Sequence, residues 1–308
     1  MAIKNTGLNV AGLRSEFFDR FSEAEMATIY RIVSTRIPST KTTENYKWLG
    51  STPGMREFGT GRIAKGIRSE SYDVENLKYE STIEVDRDEI ADDQTGQIRV
   101  RIQEMAGRAA RHKDNLISVL LANGASAGYL AYDGLPFFSA AHVSGSSGDQ
   151  SNDLTVNVVD ANDPTSDEMK GAVREAVSAI MGFKDDQGEP TAPESSGLMV
   201  ITPTDLFFPA REAMNAVIIN DTTNVDAGLA DVRAFPWLTS ATEFYVGKVN
   251  GHVGPFIFQD REPLEFDALE EGTDESFRRE KFLYGVRARY RMTYGEWRYM
   301  VKVTLNTA

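Results

Sequence analysis

The chain has 308 residues, a formal net charge of −13, 41% hydrophobic and 26% charged residues, which fits one elaborated globular domain or two. It has no cysteine, so disulfides and thiolate metal sites are excluded, and three histidines (His112, His142, His252) leave little imidazole chemistry. No leader-like start and no run of ~20 apolar residues is present, so a cytoplasmic protein is expected, and the acidic balance argues against dedicated nucleic-acid binding.

The first helical pattern runs from Leu13 to Ser34, with Ser22-Glu23-Ala24-Glu25 reading as a capping box, Met26, Ile29, Tyr30 and Val33 on one face, and Pro38 as the stop. Residues 39–81 show no long period. They carry five glycines between Gly50 and Gly66, so residues 50–86 read as an extended two-stranded excursion that needs a neighbour to pack on. Ser81 to Asp88 alternates as a half-buried strand. Ile98, Ile102, Met105, Ala109, His112, Leu116 and Val119 then form a stripe with spacing 4, 3, 4, 3, 4, 3, a long helix over 95–123 ended by Gly124. It would span ~43 Å at ~1.5 Å per residue.

Residues 144–153 read as a flexible loop. Asp163-Pro164 opens a helix that continues through Met169, Val173, Ala176, Val177 and Ile180. Leu198 to Ile201 is a short buried strand, and Thr202-Pro203 opens a helix to about Ile219, so 155–250 alternates as α/β. Phe244–Val249, Pro255–Phe258 and Leu264–Phe266 read as short strands. Phe282–Leu305 is a long strand broken near Gly295, with Arg287, Arg289 and Arg291 on one face.

Catalytic constellations are weak. Gly59-Thr60-Gly61-Arg62-Ile63-Ala64 matches a dinucleotide fingerprint but lacks the buried strand before it that the mechanism needs. Glu84, Asp86 and Asp88 share a strand face and read as solvated charge beside a helix start rather than as a cation site. His112 reads as a packed core histidine. His142 has nearby serines and Asp149 but no nucleophile elbow. No metal or cofactor is expected.

Several stretches resemble the Mu-like phage major head subunit (gpT) family. They are Ile37-Pro38-Ser39-Thr40, Glu44-Asn45-Tyr46-Lys47-Trp48-Leu49-Gly50, Tyr79 to Asp88, Tyr132-Asp133-Gly134-Leu135-Pro136-Phe137-Phe138 with His142 after it, Pro255 to Gln259, Phe282 to Arg289 and Tyr294-Gly295-Glu296-Trp297. The resemblance runs in order from about residue 37 to 300 and implies an α+β chain of the Hong Kong 97-type phage capsid fold. The expected organisation is an N-terminal arm and helix (1–49), an extended β loop (50–86), a peripheral domain with a spine helix (87–150), an α/β axial domain (151–250) and a return to the peripheral domain with C-terminal strands (251–308).

It also implies a structural protein, not an enzyme, located in the virion capsid and assembled in the host bacterial cytoplasm. The implied partners are copies of itself in hexamers and pentamers, a portal, room for decoration proteins, and packaged double-stranded DNA held without sequence specificity; no membrane is involved. The capsid-like region begins almost at once, so a separate scaffold protein is expected. Intersubunit contacts are expected from Tyr46, Trp48, Met55, Phe58 and Ile63 as apolar anchors and from Glu57, Arg62 and Arg68 as charged partners. Arg287, Arg289 and Arg291 would meet acids across a subunit interface or line the inner wall near DNA. Lys65 is a formal candidate for covalent cross-linking with no supporting geometry, and the bond is not expected. Two rivals stand beside this reading: a nanocompartment shell of the same fold enclosing protein cargo, and a hydrolase or metal-dependent enzyme.

Overall fold

A computed structural model describes residues 10–46, 72–91, 96–192, 194–219, 221–270 and 272–308. Helix α1 (Val10–Met26) leads through the helical turn α2 (Tyr30–Val33) into β1 (Ser34–Pro38). A two-stranded stem, β2 (Thr43–Asn45) and β3 (Asp73–Glu75), precedes β4 (Leu77–Asp86), the short α3 (Arg87–Ala91) and the long α4 (Gln97–Asn123). Then come β5 (Asp153–Val158), α5 (Ser166–Gly182), β6 (Leu198–Thr202), α6 (Thr204–Asn215), the β7–β8 hairpin (Ile218–Ile219, Thr222–Thr223), β9 (Asp231–Ala234) and β10 (Glu243–Lys248). The chain ends with β11 (Phe256–Leu269), α7 (Asp274–Arg279), β12 (Lys281–Tyr294), a 3-10 turn (Trp297–Tyr299) and β13 (Met300–Thr307).

Two sheets organise these elements. The first has the order β1-β11-β12-β4, and the second the order β5-β13-β10-β6-β9. Along β12 the period of two places Val286, Ala288, Tyr290 and Met292 in the core and the three arginines on the opposite face. In the second sheet β6 is buried along its whole length, with α5 and α6 packed on the layer. The chain passes between the sheets at Gly295. A Cβ there would lie 2.4 Å from the Gly254 carbonyl oxygen, so only glycine fits where β12 turns away.

Helix α4 belongs to two cores. Its N-terminal half gives Ile98, Ile102, Met105 and Ala106 to a cluster with Leu13 and Phe17 of α1 and Val85, Phe266, Phe282 and Tyr284 of the first sheet. Its C-terminal half gives Ile117 and Leu121 to the large core that includes the second sheet. The expected stripe drifts accordingly: Ala109, His112 and Leu116 are only half-buried and Val119 is exposed. A 4-3 spacing has period 3.5, so it slips ~20° per heptad against a 3.6-residue helix and leaves the core after three heptads.

Between the two halves sits a polar clasp. Asp114 is buried and accepts hydrogen bonds from the Ile29 amide (3.2 Å) and the Tyr30 amide (2.9 Å), so α4 supplies the cap for α2 from 84 residues away. The Lys113 ammonium donates to Glu25 at 2.6 Å and lies 4.6 Å from the ring centroids of both Tyr30 and Phe258. Burial pushes the Glu25 carboxyl up, but hydrogen bonds from Lys113 and the Tyr30 hydroxyl outweigh that and leave it below the usual carboxylate range.

Several expectations are corrected. Helix α1 already runs through Ser22, because Leu13 and Phe17 anchor it earlier, so Ser22 caps nothing; the chain breaks at Met26 and is a strand before Pro38. Thr165, not Asp163, caps α5, exchanging hydrogen bonds with Glu168. Helix α6 ends at Asn215, four residues short of the expected end. Residues 144–153 are tied down: His142 and Gln150 exchange backbone hydrogen bonds, and the Gln150 side chain bonds both the amide and the carbonyl of Lys184. The two short strands at 255–258 and 264–266 are one strand, β11. Residues 77–86 of the expected excursion are β4, a full member of the first sheet, and β13 pairs in the second sheet, so 251–308 is divided between both.

The clasp makes two checkable statements. Asp114→Ala leaves two amides without their acceptor and should cost about 2–4 kcal/mol in urea unfolding, with Asp114→Asn losing less. Glu25→Gln should be less stable than the parent at neutral pH. A depressed carboxyl stabilises above its unfolded pKa, so the difference should shrink as the pH falls below about 4.3 and vanish below the depressed folded value.

Candidate functional site

The stem β2–β3 is where residues 47–71 join the body. Its ladder pairs Thr43 with Glu75, Glu44 with Val74 and Asn45 with Asp73, extended by Tyr46 N–H to Tyr72 O (2.9 Å) and Asn76 N–H to Thr42 O (3.0 Å). Three backbone rungs cannot hold a hairpin in water alone. The stem is held by Gln259 of β11, which is fully buried. The Tyr46 hydroxyl donates to Gln259 Oε1 at 2.6 Å, while Gln259 Nε2 donates to Asn76 Oδ1 at 2.8 Å and Val74 O at 3.2 Å. Asn76 Nδ2 donates onward to Ser39 Oγ and Lys41 O, both at 2.9 Å. The amides of Thr40 and Lys41 bond the Glu44 carboxylate and, with Ser39, hold it below the usual range.

Tyr46 is 3% exposed and its hydroxyl is bound inside the same chain, so it roots the stem. Trp48, Met55, Glu57, Phe58, Arg62, Ile63, Lys65 and Arg68, and the Gly59–Ala64 fingerprint, lie outside the described residues. Sequence reasoning missed Gln259 and Asn76. The available signal was a lone amide closing the apolar run Phe256–Phe258.

The arginine face meets acids of the same chain. Arg287 and Arg289 both bind Glu262 of the same chain, at 2.9 Å and 2.7 Å. Burial raises the Tyr79 and Tyr72 hydroxyls above the usual range, and the nearby Arg291 charge works against that. On this face β12 is flanked by Glu80, Glu84 and Asp86 of β4 and by Glu262, Glu265 and Asp267 of β11. Arg289 also faces Lys78 of β4 directly across the ladder, so this face mixes both signs of charge.

Hydrolase geometry is also tested. His142 Nδ1 lies 2.6 Å from Asp133 Oδ2, a pair the sequence reading missed in favour of Asp149. The histidine is fully buried, stacks on Trp297 at 3.9 Å, and turns Nε2 to the Phe137 carbonyl, so neither nitrogen is open to a substrate. Arg298 covers the other side: it lies 4.8 Å from the Trp297 ring and donates to Tyr132, Glu296 and the Lys184 carbonyl. This cluster is a buried joint between the loop after α4 and the passage to β13. His112 is half-buried, bonded to the Tyr290 hydroxyl at 2.6 Å and edge-on to Tyr79, a packed histidine as expected. Glu84 pairs with Lys281, and Asp86 caps the turn into α3 through the Asp88 amide. Among the described residues no group of three or more His, Asp or Glu could hold a metal ion, and no helix is long and apolar enough to cross a membrane.

Comparison with known proteins matches this frame. The model of the Mu-like prophage major head subunit gpT family matches residues 8–167 and 239–308. The Mu-like prophage FluMu major head subunit of Haemophilus influenzae is 31% identical over 150 residues, 48% of this chain and 47% of that protein. The major capsid protein of Escherichia phage Mu is 31% identical over 113 residues, 37% of this chain and 36% of that one. The matched stretch thus spans about half or less of these relatives' length. Among solved structures, the procapsid of bacteriophage JBD30 superposes with a TM-score of 0.54 at 22% identity, over 96% of this chain and 74% of that one. The capsid of cyanophage P-SCSP1u gives 0.60 at 11% identity, over 92% and 89%. The fold is the α+β, Hong Kong 97-type phage capsid fold, and the chain belongs to the Mu-like prophage major head subunit gpT family.

Proposed function

We propose that this chain is the major head subunit of a Mu-like tailed phage, and that its copies close as hexamers and pentamers into an icosahedral shell around double-stranded DNA. Family membership supports the reading. The observation that carries it is the apolar surface a single copy leaves in water. Phe277 is 89% exposed at the end of the β11–β12 hairpin, and Val225, Phe208, Val217 and Ile218 are 65–81% exposed around α6 and the β7–β8 hairpin. Large apolar side chains gathered at element ends mark contact surfaces, and closed symmetry multiplies weak contacts.

The reading assigns no catalytic role to any residue. The sealed His142 supports that assignment. The extended-loop role falls to residues 47–71, whose two ends the stem holds together. On this reading the first sheet with α4 is the peripheral domain and the second sheet with α5 and α6 is the axial domain. Scaffold and portal proteins complete assembly in the host cytoplasm, and DNA is enclosed without sequence readout.

Expression of the chain with the neighbouring phage genes, followed by electron microscopy, tests the proposal. Closed shells or capsomers are expected, and a permanently monomeric product would refute it. Phe277→Asp and Phe208→Asp sit in solvent in the monomer and should shift its unfolding by less than about 0.5 kcal/mol. Each should nevertheless lower the yield of shells measured by sedimentation. Gln259→Leu removes the acceptor of the Tyr46 hydroxyl and the donor to Asn76 Oδ1 and the Val74 carbonyl. It should cost about 2–4 kcal/mol in urea unfolding and reduce shell yield.

A further inference from the structure

Among the described residues, nothing covers one edge of the first sheet. Strand β1 pairs with β11 only from Phe256 to Asp260, and the last bond on that side runs from the Ser39 amide to the Asp260 carbonyl at 2.8 Å. From Glu262 to Leu269, β11 is bonded to β12 alone among the described residues. Proteins usually blunt such an edge with proline, bulges or charge. Here Pro263 and two register shifts lie between Asp260 and Glu265. Beyond them Glu265 to Leu269 pair residue for residue with Arg287 to Leu283, a regular strand about 17 Å long with no proline or bulge. Phe266 locks this stretch in place: it is 2% exposed and packs on Phe17 of α1 at 5.3 Å. The open backbone groups are therefore already held in strand geometry.

We propose that Glu265–Leu269 is a docking edge for an extended, basic segment of another polypeptide, which adds as a fifth strand to the first sheet. Main-chain hydrogen bonds supply the affinity, and side chains at alternate positions supply the choice of partner. Glu265 and Asp267 point to the same exposed face and form no ion pair or side-chain hydrogen bond among the described residues. A strand with lysine or arginine at alternate positions would meet both. Pairing with the same edge of a second copy would set these acids against each other, so that pairing is disfavoured and a basic strand is the fitting occupant. Leu269, 46% exposed at the hairpin end, gives an apolar anchor where the added strand finishes. The inference goes beyond the head-subunit reading, because it names a surface for a partner other than this chain.

The test uses the full-length protein and a synthetic peptide about ten residues long that alternates lysine with valine. A second peptide has the same sequence with alternate backbone amides N-methylated. The first peptide should bind and protect the amides of 265–269 from hydrogen exchange. The N-methylated peptide should bind about tenfold more weakly, and so should the first peptide to a Glu265→Lys, Asp267→Lys double variant. Equal binding of both peptides to the unaltered protein would overturn the proposal, since attraction of charge alone would then explain it. Protection elsewhere, or no binding, would also overturn it.

Discussion

One helix shared by two cores is the constraint from which the rest of the molecule follows. Helix α4 is about 40 Å long, more than one small sheet can cover, and a helix exposed along an apolar half would not be stable in water. It therefore enters the core of the first sheet with Ile98, Ile102 and Met105 and leaves through the core of the second with Ile117 and Leu121. Where it passes from one to the other, the buried residues are Lys113 and Asp114. A buried charge needs a partner, and here the partners are Glu25 and the amides that start α2. The clasp thus fixes α1 along the helix and delivers the chain into β1 with a defined direction.

The same logic places the loops. Gln259 satisfies the stem in the way Asp114 satisfies α2: one buried polar side chain on a rigid strand or helix takes the hydrogen bonds of a segment with little core of its own. Asn152 does this for the loop before β5, donating to the Phe137 and Met300 carbonyls and accepting from the Ser139 amide. His142, Trp297 and Arg298 do it for the passage between sheets. Such groups are costly to leave half-satisfied, so they tolerate few alternative arrangements. The body that results leaves large apolar groups uncovered at the hairpin end and around α6, where the proposed shell subunit would meet its copies.

Periodic segments were legible in the sequence. The long helix, the helix through Met169 and Ile180, and the alternation along β12 all stand where the spacing puts them, because each pattern is long and tertiary contacts do not oppose it. Segments governed by distant partners were not legible. The run Arg261-Glu262-Pro263 looks like a gap between two strands, yet β12 pairs across it and absorbs the irregularity in two register shifts. Ser22 looks like a cap, yet anchors at Leu13 and Phe17 start the helix earlier. Asp133 lies nine residues from His142 and Gln259 lies 213 from Tyr46; no local spacing signals either pair. The arginines of β12 looked like a surface for a partner because their acids come from strands on both sides, one of them some 200 residues away in the chain.

The central claim is that this body is rigid within itself and incomplete at its ends. A cryo-electron microscopy map of the assembled particle, at side-chain resolution, tests it most directly. The account predicts that Phe277, Phe208 and Val225 are covered by other copies, while the Lys113–Glu25 and Tyr46–Gln259 contacts stay as they are in the single chain. Those apolar side chains standing in solvent in a finished shell, or the two internal contacts broken to make it, would contradict the account.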